Sequence, residues 1–183
     1  MKLTAIGCIE TTSIARGYQI ADTMLKAADV KLLMNRTICP GKYMVVIGGD
    51  TQAVRSSIAQ GQLIADDTLV DDFIIPNVDP QIFPAIAGSQ IIPELKALGV
   101  IETFSVASLI EAADAAVKAA DVHLIQIHLA MAIGGKAYFT LTGTVADVEA
   151  AVQAGVDYIK SKGLLVAKVV IPQPEPDILA DRI

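Results

Sequence analysis

Ala5-Ile6-Gly7-Cys8-Ile9-Glu10-Thr11 returns at an offset of 92 as Ala97-Leu98-Gly99-Val100-Ile101-Glu102-Thr103, with Ser13 on Ser105. At the same offset Lys26-Ala27-Ala28-Asp29-Val30 lies on Lys118-Ala119-Ala120-Asp121-Val122, and 15 of the 30 positions from 5 to 34 are identical. The offset then slips to 94, where Gly41-Lys42 meets Gly135-Lys136. At 96, Ile75-Pro76 meets Ile171-Pro172. Each slip falls where turns are expected, as insertions do in duplicated domains. A period this long exceeds the roughly 20–50 residues of solenoid units. It predicts two copies of one small domain, over 1–90 and 91–183, joined through Asn77–Leu95 with Pro80, Pro84, Pro93 and the turn Gly88-Ser89.

Each copy carries the same element signals. In the first, Leu3–Ile9 is an apolar strand and Ser13 caps a helix running to about Ala27. Val30–Ile38 is a strand stopped by the turn Cys39-Pro40-Gly41, Tyr43–Ile47 is a third, and Asp50 or Thr51 caps a second helix to about Ile64. Val70–Ile75 is the last strand, ended by Pro76. The second copy repeats this over Ala97–Glu102, Ser105–Ala119, Val122–Ala130, Tyr138–Leu141, Val145–Lys160 and Leu165–Ile171. The order βαββαβ predicts an α+β, ferredoxin-like fold in tandem.

The 183 residues are 53% hydrophobic and 19% charged, with a net charge of −6. No apolar run reaches the ~18–20 residues of a membrane helix, so no membrane partner is expected. Met1–Gly7 has one charge and no long apolar core, so no secretory signal is expected. With no basic run, no nucleic-acid partner is expected. The apolar surplus points to assembly.

The chemical inventory is sparse, and there is no Walker loop, dinucleotide fingerprint or nucleophile elbow. Cys8 pairs with Val100 in the repeat, a slot for a buried inert thiol. Cys39 sits in Thr37-Ile38-Cys39-Pro40-Gly41-Lys42; on the residues alone it is a turn thiol or, if threefold symmetry gathers three copies, a metal ligand. The second copy has no cysteine there, reading Met131-Ala132-Ile133-Gly134-Gly135-Lys136. His123 and His128, an odd spacing apart on one strand, are expected on opposite faces. Lys26 and Lys118 close the two first helices, where a cation suits the dipole. Glu10 and Glu102 repeat without a partner nearby in sequence. Asp66, Asp67, Asp71 and Asp72 are expected to be a solvated face.

Gly-x-Ile-Glu-Thr, Lys-Ala-Ala-Asp-Val, Gly-Lys before a strand and a closing Ile-Pro, all present twice, resemble bacterial microcompartment shell domains. The turn around Cys39 and the Gly48-Gly49-Asp50 end are similar to the PduT type, the iron–sulfur tandem shell proteins of propanediol-utilisation compartments. The resemblance implies a homotrimer forming a pseudohexameric tile in the microcompartment shell, joined edge to edge to other shell proteins through Lys26 and Lys118. It implies that Cys39, Pro40, Gly41, Gly134 and Gly135 face the centre. There Cys39 from each of three chains would bind one [4Fe-4S] cluster, passing electrons across the shell to or from a redox enzyme. The protein is thus expected not to be an enzyme. Two departures stand out: Asn77 and Gln173 follow the Ile-Pro pairs where many shell domains have arginine, and Ala137 replaces a cysteine of the PduT type. The alternatives are the same tile without a cluster acting as a metabolite pore, a small-molecule sensor, and an unrelated soluble electron carrier.

Overall fold

The computed structural model describes residues 3–91, 94–131 and 133–182, so Pro93 of the expected join and Ala132 of the second turn lie outside the described residues. The first repeat forms β1 (Ala5–Thr11), α1 (Ile14–Ala27), β2 (Lys31–Ile38), β3 (Lys42–Gly49), α2 (Thr51–Ala65) and β4 (Leu69–Pro76). After α3 (Ile82–Ala87), the second forms β5 (Ala97–Thr103), α4 (Val106–Ala119), β6 (Val122–His128), β7 (Ala137–Gly143), α5 (Val145–Ile159) and β8 (Leu165–Ile171). Each repeat builds one antiparallel four-stranded sheet, in the orders β2-β3-β1-β4 and β6-β7-β5-β8. The expected α+β order is present in both copies.

The chain divides into two compact units, but not at one point. The first comprises the chain through Val78 together with Ser105–Ser108 and Ala130–Lys136; the second comprises Asp79–Phe104, Leu109–Leu129 and the chain from Ala137 onward.

In the first unit the central strands β1 and β3 are buried along their whole length. That explains their near-continuous apolar sequence where a half-exposed strand would alternate. Ser13 starts α1 by accepting from the Arg16 backbone N–H at 3.2 Å. The helix then buries Gly17, Ile20, Ala21 and Met24, one face at helical spacing. Asp50 caps α2 through the Gln52 and Ala53 N–H groups, each at 2.9 Å. Ile9, Tyr43, Val45, Val54 and Ile58 fill the core with Ile20 and Met24. The repeated glycine of the first strand has a packing reason. A Cβ on Gly7 would lie 2.7–2.9 Å from Val54 and Ile58, and one on Gly99 2.8–2.9 Å from Leu141, Val148 and Val152.

In the second unit Thr144 caps α5, which lays Val148, Ala151, Val152, Val156 and Ile159 into the core. The join contains a helix where the prolines suggest only turns. Pro84 is tolerated in α3 because it falls in the first turn, where its missing N–H has no intrahelical partner to lose. Just ahead of α3, Gln81 donates to the Val122 carbonyl at 3.2 Å and accepts from the Leu124 N–H at 2.9 Å, covering the open edge of β6.

The histidines differ from expectation. The β6–β7 register slips between Leu124 and Gln126, so His123 faces Thr142 and His128 faces Tyr138 across the ladder. Their partners are an even step apart, so the bulge returns both histidines to one face. They still stand about 13 Å apart along the strand, too far to share a metal. The first repeat has the same slip, between Leu32 and Met34, so the bulge is part of the duplicated design.

Tyr43 is 1% exposed, its ring 5.1 Å from that of Tyr18. Burial, then the hydrogen bond with Tyr18, pushes its hydroxyl up from 10.0 to about 12. The folded state therefore holds this proton more tightly than the unfolded chain. The associated stability is complete below pH 10 and is lost as pH rises through about 12. Urea denaturation of the wild type is expected to show this loss between pH 10 and 12, and Tyr43→Phe to flatten it.

Candidate functional site

Two loops of the first unit meet at Cys39. The Cys39 backbone N–H donates to the Ala130 carbonyl at 2.8 Å. Ala130 holds a left-handed φ of 47°, a conformation that costs a non-glycine residue about 1–2 kcal/mol and is here fixed by that bond. On the other side of the turn, Gly135 (φ 83°) packs against Pro40. A Cβ there would lie 2.4 Å from the proline ring and 3.1 Å from the Cys39 carbonyl oxygen. Of the residues singled out from sequence, Cys39, Pro40 and Gly135 are thus brought together, with Gly41 and Gly134 at φ 69° and 65° in the same loops. Cys39 is half-buried, whereas Cys8 is fully buried in β1 as its valine counterpart suggests. Among the described residues no group of three His, Cys, Asp or Glu side chains is placed to hold a metal.

Lys26 and Lys118 lie elsewhere, in the last turns of α1 and α4. Each is held by an aspartate one turn earlier: Asp22 at 2.6 Å and Asp114 at 2.5 Å. The aspartates repeat as the lysines do, so this pairing was present in the sequence. The Lys26 side chain is 75% exposed and that of Lys118 39%.

A buried polar cluster around Glu10 was not legible in the sequence. The Glu10 side chain is 0% exposed. One carboxylate oxygen pairs with Lys42; the other accepts from Ser105 Oγ at 3.1 Å, the Val106 N–H at 2.9 Å and the Ala107 N–H at 3.3 Å. A carboxylate from β1 therefore caps the first turn of α4, where orphan N–H groups and the helix dipole both favour negative charge. Asp71 faces Glu10 directly across the ladder. Its Oδ2 accepts from Ser105 Oγ at 2.5 Å, Ser108 Oγ at 2.6 Å and the Ser108 N–H at 3.1 Å. Two opposed carboxylates would repel; five donors and Lys42 offset that. Glu10 has no partner nearby in sequence, as expected; Lys42 reaches it from 32 positions away and Ser105–Ala107 from 95 to 97. One expectation is corrected: Asp71 belongs to a built cluster, not to a solvated acidic face. Asp66 and Asp67 are exposed as expected.

No helix among the described residues is long and apolar enough to cross a membrane. The BMC domain model matches residues 5–78 and 97–174. The chain is 48% identical to the bacterial microcompartment shell protein PduT of Citrobacter freundii over 170 residues, 93% of this chain and 92% of that protein. Its fold matches the crystal structure of a microcompartments protein of Desulfitobacterium hafniense DCB with a TM-score of 0.84 and 52% identity, covering 95% of this chain and 97% of that one. A fused permuted hexameric shell protein of the RMM microcompartment matches with a TM-score of 0.65 and 27% identity, over 85% of this chain and 83% of that one. The chain belongs to the BMC domain family and is a tandem-domain bacterial microcompartment shell protein, a homologue of PduT.

Glu10→Ala would strip Lys42 of its carboxylate and leave the first turn of α4 uncapped. Such a change is expected to cost about 3–5 kcal/mol, with Glu10→Gln milder because its amide oxygen still accepts. Urea denaturation monitored by circular dichroism measures both.

Proposed function

We propose that this chain is a structural tile, without catalytic activity, that assembles as a homotrimer with a pseudohexameric outline and carries one [4Fe-4S] cluster on its threefold axis. Residues 1–90 and 91–183 serve as its two shell domains. The observation that carries the reading is the turn at Cys39: a half-buried thiol on a loop fixed from both sides by Ala130 and Gly135. Its donor chemistry fits the group only by sharing. One chain offers one soft sulfur and no convergent set of three ligands among its described residues. Three chains offer three thiolates, which leaves one iron for a further ligand. When bound, such a cluster exchanges single electrons. Cys39 would supply the thiolate; Pro40, Gly41, Gly134 and Gly135 would hold the loop that presents it.

Lys26 and Lys118 are proposed as tile-edge contacts with neighbouring shell proteins. What supports this is their exposure and their fixed direction: each ammonium is tethered to its aspartate at the end of a helix. A redox enzyme on one side of the shell is the proposed electron partner.

Iron and acid-labile sulfide measured on protein purified without oxygen test the cluster. Four irons shared by three chains give about 1.3 iron and 1.3 sulfide per chain, lost in Cys39→Ser. Iron-free protein after anaerobic reconstitution would leave Cys39 a turn thiol and the protein a plain tile whose central opening admits metabolites.

A further inference from the structure

The buried charges around Glu10 lie at the foot of the turn that carries Cys39. Ile38 and Lys42 face each other across the β2–β3 ladder, so Cys39-Pro40-Gly41 is the whole of the turn above that rung. Three residues of chain keep the Cα atoms of Cys39 and Lys42 within about 11 Å of each other. Ala130 and Gly135 hold the tip of the turn. An ion pair holds its base: Lys42, its side chain 11% exposed, on Glu10, whose side chain is 0% exposed.

Three formal charges stand together here: Glu10 and Asp71, opposed across the β1–β4 ladder, and Lys42. The first turn of α4 covers them with Ser105, Val106, Ala107 and Ser108, all buried. Charges placed so are screened by salt far less than surface charges, and they act through a medium less polarisable than water. The sheet itself does not require the second carboxylate. In the second repeat the residue opposite Glu102 is Ala167, and β5 and β8 pair all the same. That repeat also has Ile133 where the first has Cys39. The extra carboxylate and the turn thiol therefore stand in the same repeat.

We infer that Glu10, Lys42 and Asp71 tune the Cys39 site: their fixed charges set the reduction potential of the cluster that three Cys39 thiolates would share. The inference rests on the reading of Cys39 as a cluster ligand. Reduction adds one electron to the cluster and neither makes nor breaks a bond to the protein. A carboxylate nearby opposes that added negative charge, and an ammonium favours it. Glu10 and Asp71 thus hold the potential down and Lys42 holds it up. Threefold symmetry applies each charge three times, once from every chain. None of the three touches the cluster in this scheme; they act through space, from the base of the turn that presents the thiolate.

The test is a potentiometric titration of the full chain, purified without oxygen, with dithionite as the electron donor and paramagnetic resonance reading the reduced cluster. Glu10→Gln leaves Lys42 unopposed and is expected to shift the midpoint potential upward. Lys42→Gln leaves Glu10 unopposed and is expected to shift it downward. The two changes together are expected to return it close to the wild-type value. Circular dichroism confirms folding, and iron content confirms loading. A purely structural role would not reverse the sign between the two single variants. If Lys42→Gln does not fold, Asp71→Asn replaces it, with an upward shift expected. A loaded wild type whose potential the variants leave unmoved, or which both pair variants move the same way, would overturn the tuning role and leave the cluster reading standing. So would a variant that folds but binds no iron, since the group would then act by holding the turn. A wild type that takes up no iron would overturn the cluster reading, and this inference with it.

Discussion

The burial of the Glu10 carboxylate beneath the first turn of α4 is the constraint around which the first unit is organised. A charge removed from water is costly unless its lone pairs are met. Here one oxygen is met by Lys42 from the neighbouring strand, the other by Ser105 and two backbone N–H groups. Satisfying this one group therefore fixes three elements at once: β1 that carries it, β3 that brings the lysine, and the helix turn that donates. It also explains why the compact units do not follow the repeat boundary. Ser105–Ser108 belong to the first unit because their polar groups are spent there.

Duplication gave the chain two versions of each element, and divergence has used them differently. The Ile-Glu-Thr of the first strand is retained in both copies, yet Glu10 is enclosed while Glu102 is only partly buried. Asp71 has become Ala167, and Ser108 stands where the first copy has Arg16. The loop after the second strand has diverged as well. Cys39-Pro40-Gly41 in one copy and Ile133-Gly134-Gly135 in the other are no longer alike, but they pack on each other through Gly135 and Pro40. Of these two loops, only the first keeps a cysteine, Cys39.

The main features of the fold were legible in the sequence because they rest on local chemistry. Apolar runs that stop at Cys39-Pro40-Gly41 and Gly48-Gly49, caps at Ser13 and Asp50, and a half-identical repeat are all short-range signals, and the strands and helices formed where they pointed. The join was misread in part, because prolines argue for turns and Pro84 happens to occupy the one part of a helix that tolerates it.

Tertiary structure decided what depends on residues far apart in the chain. Periodicity alone puts His123 and His128 on opposite faces; a one-residue bulge, invisible in the pattern, puts them on the same one. The partners of Glu10 and Asp71 could not be read from local sequence, because they lie 32 to 97 and 34 to 37 residues away. The sequence by itself determined two copies of a βαββαβ domain, since strand periods, caps and turns act within a few residues. Only the folded chain decided which carboxylates are buried and which faces stay open, since burial is set by whatever the rest of the chain brings against them.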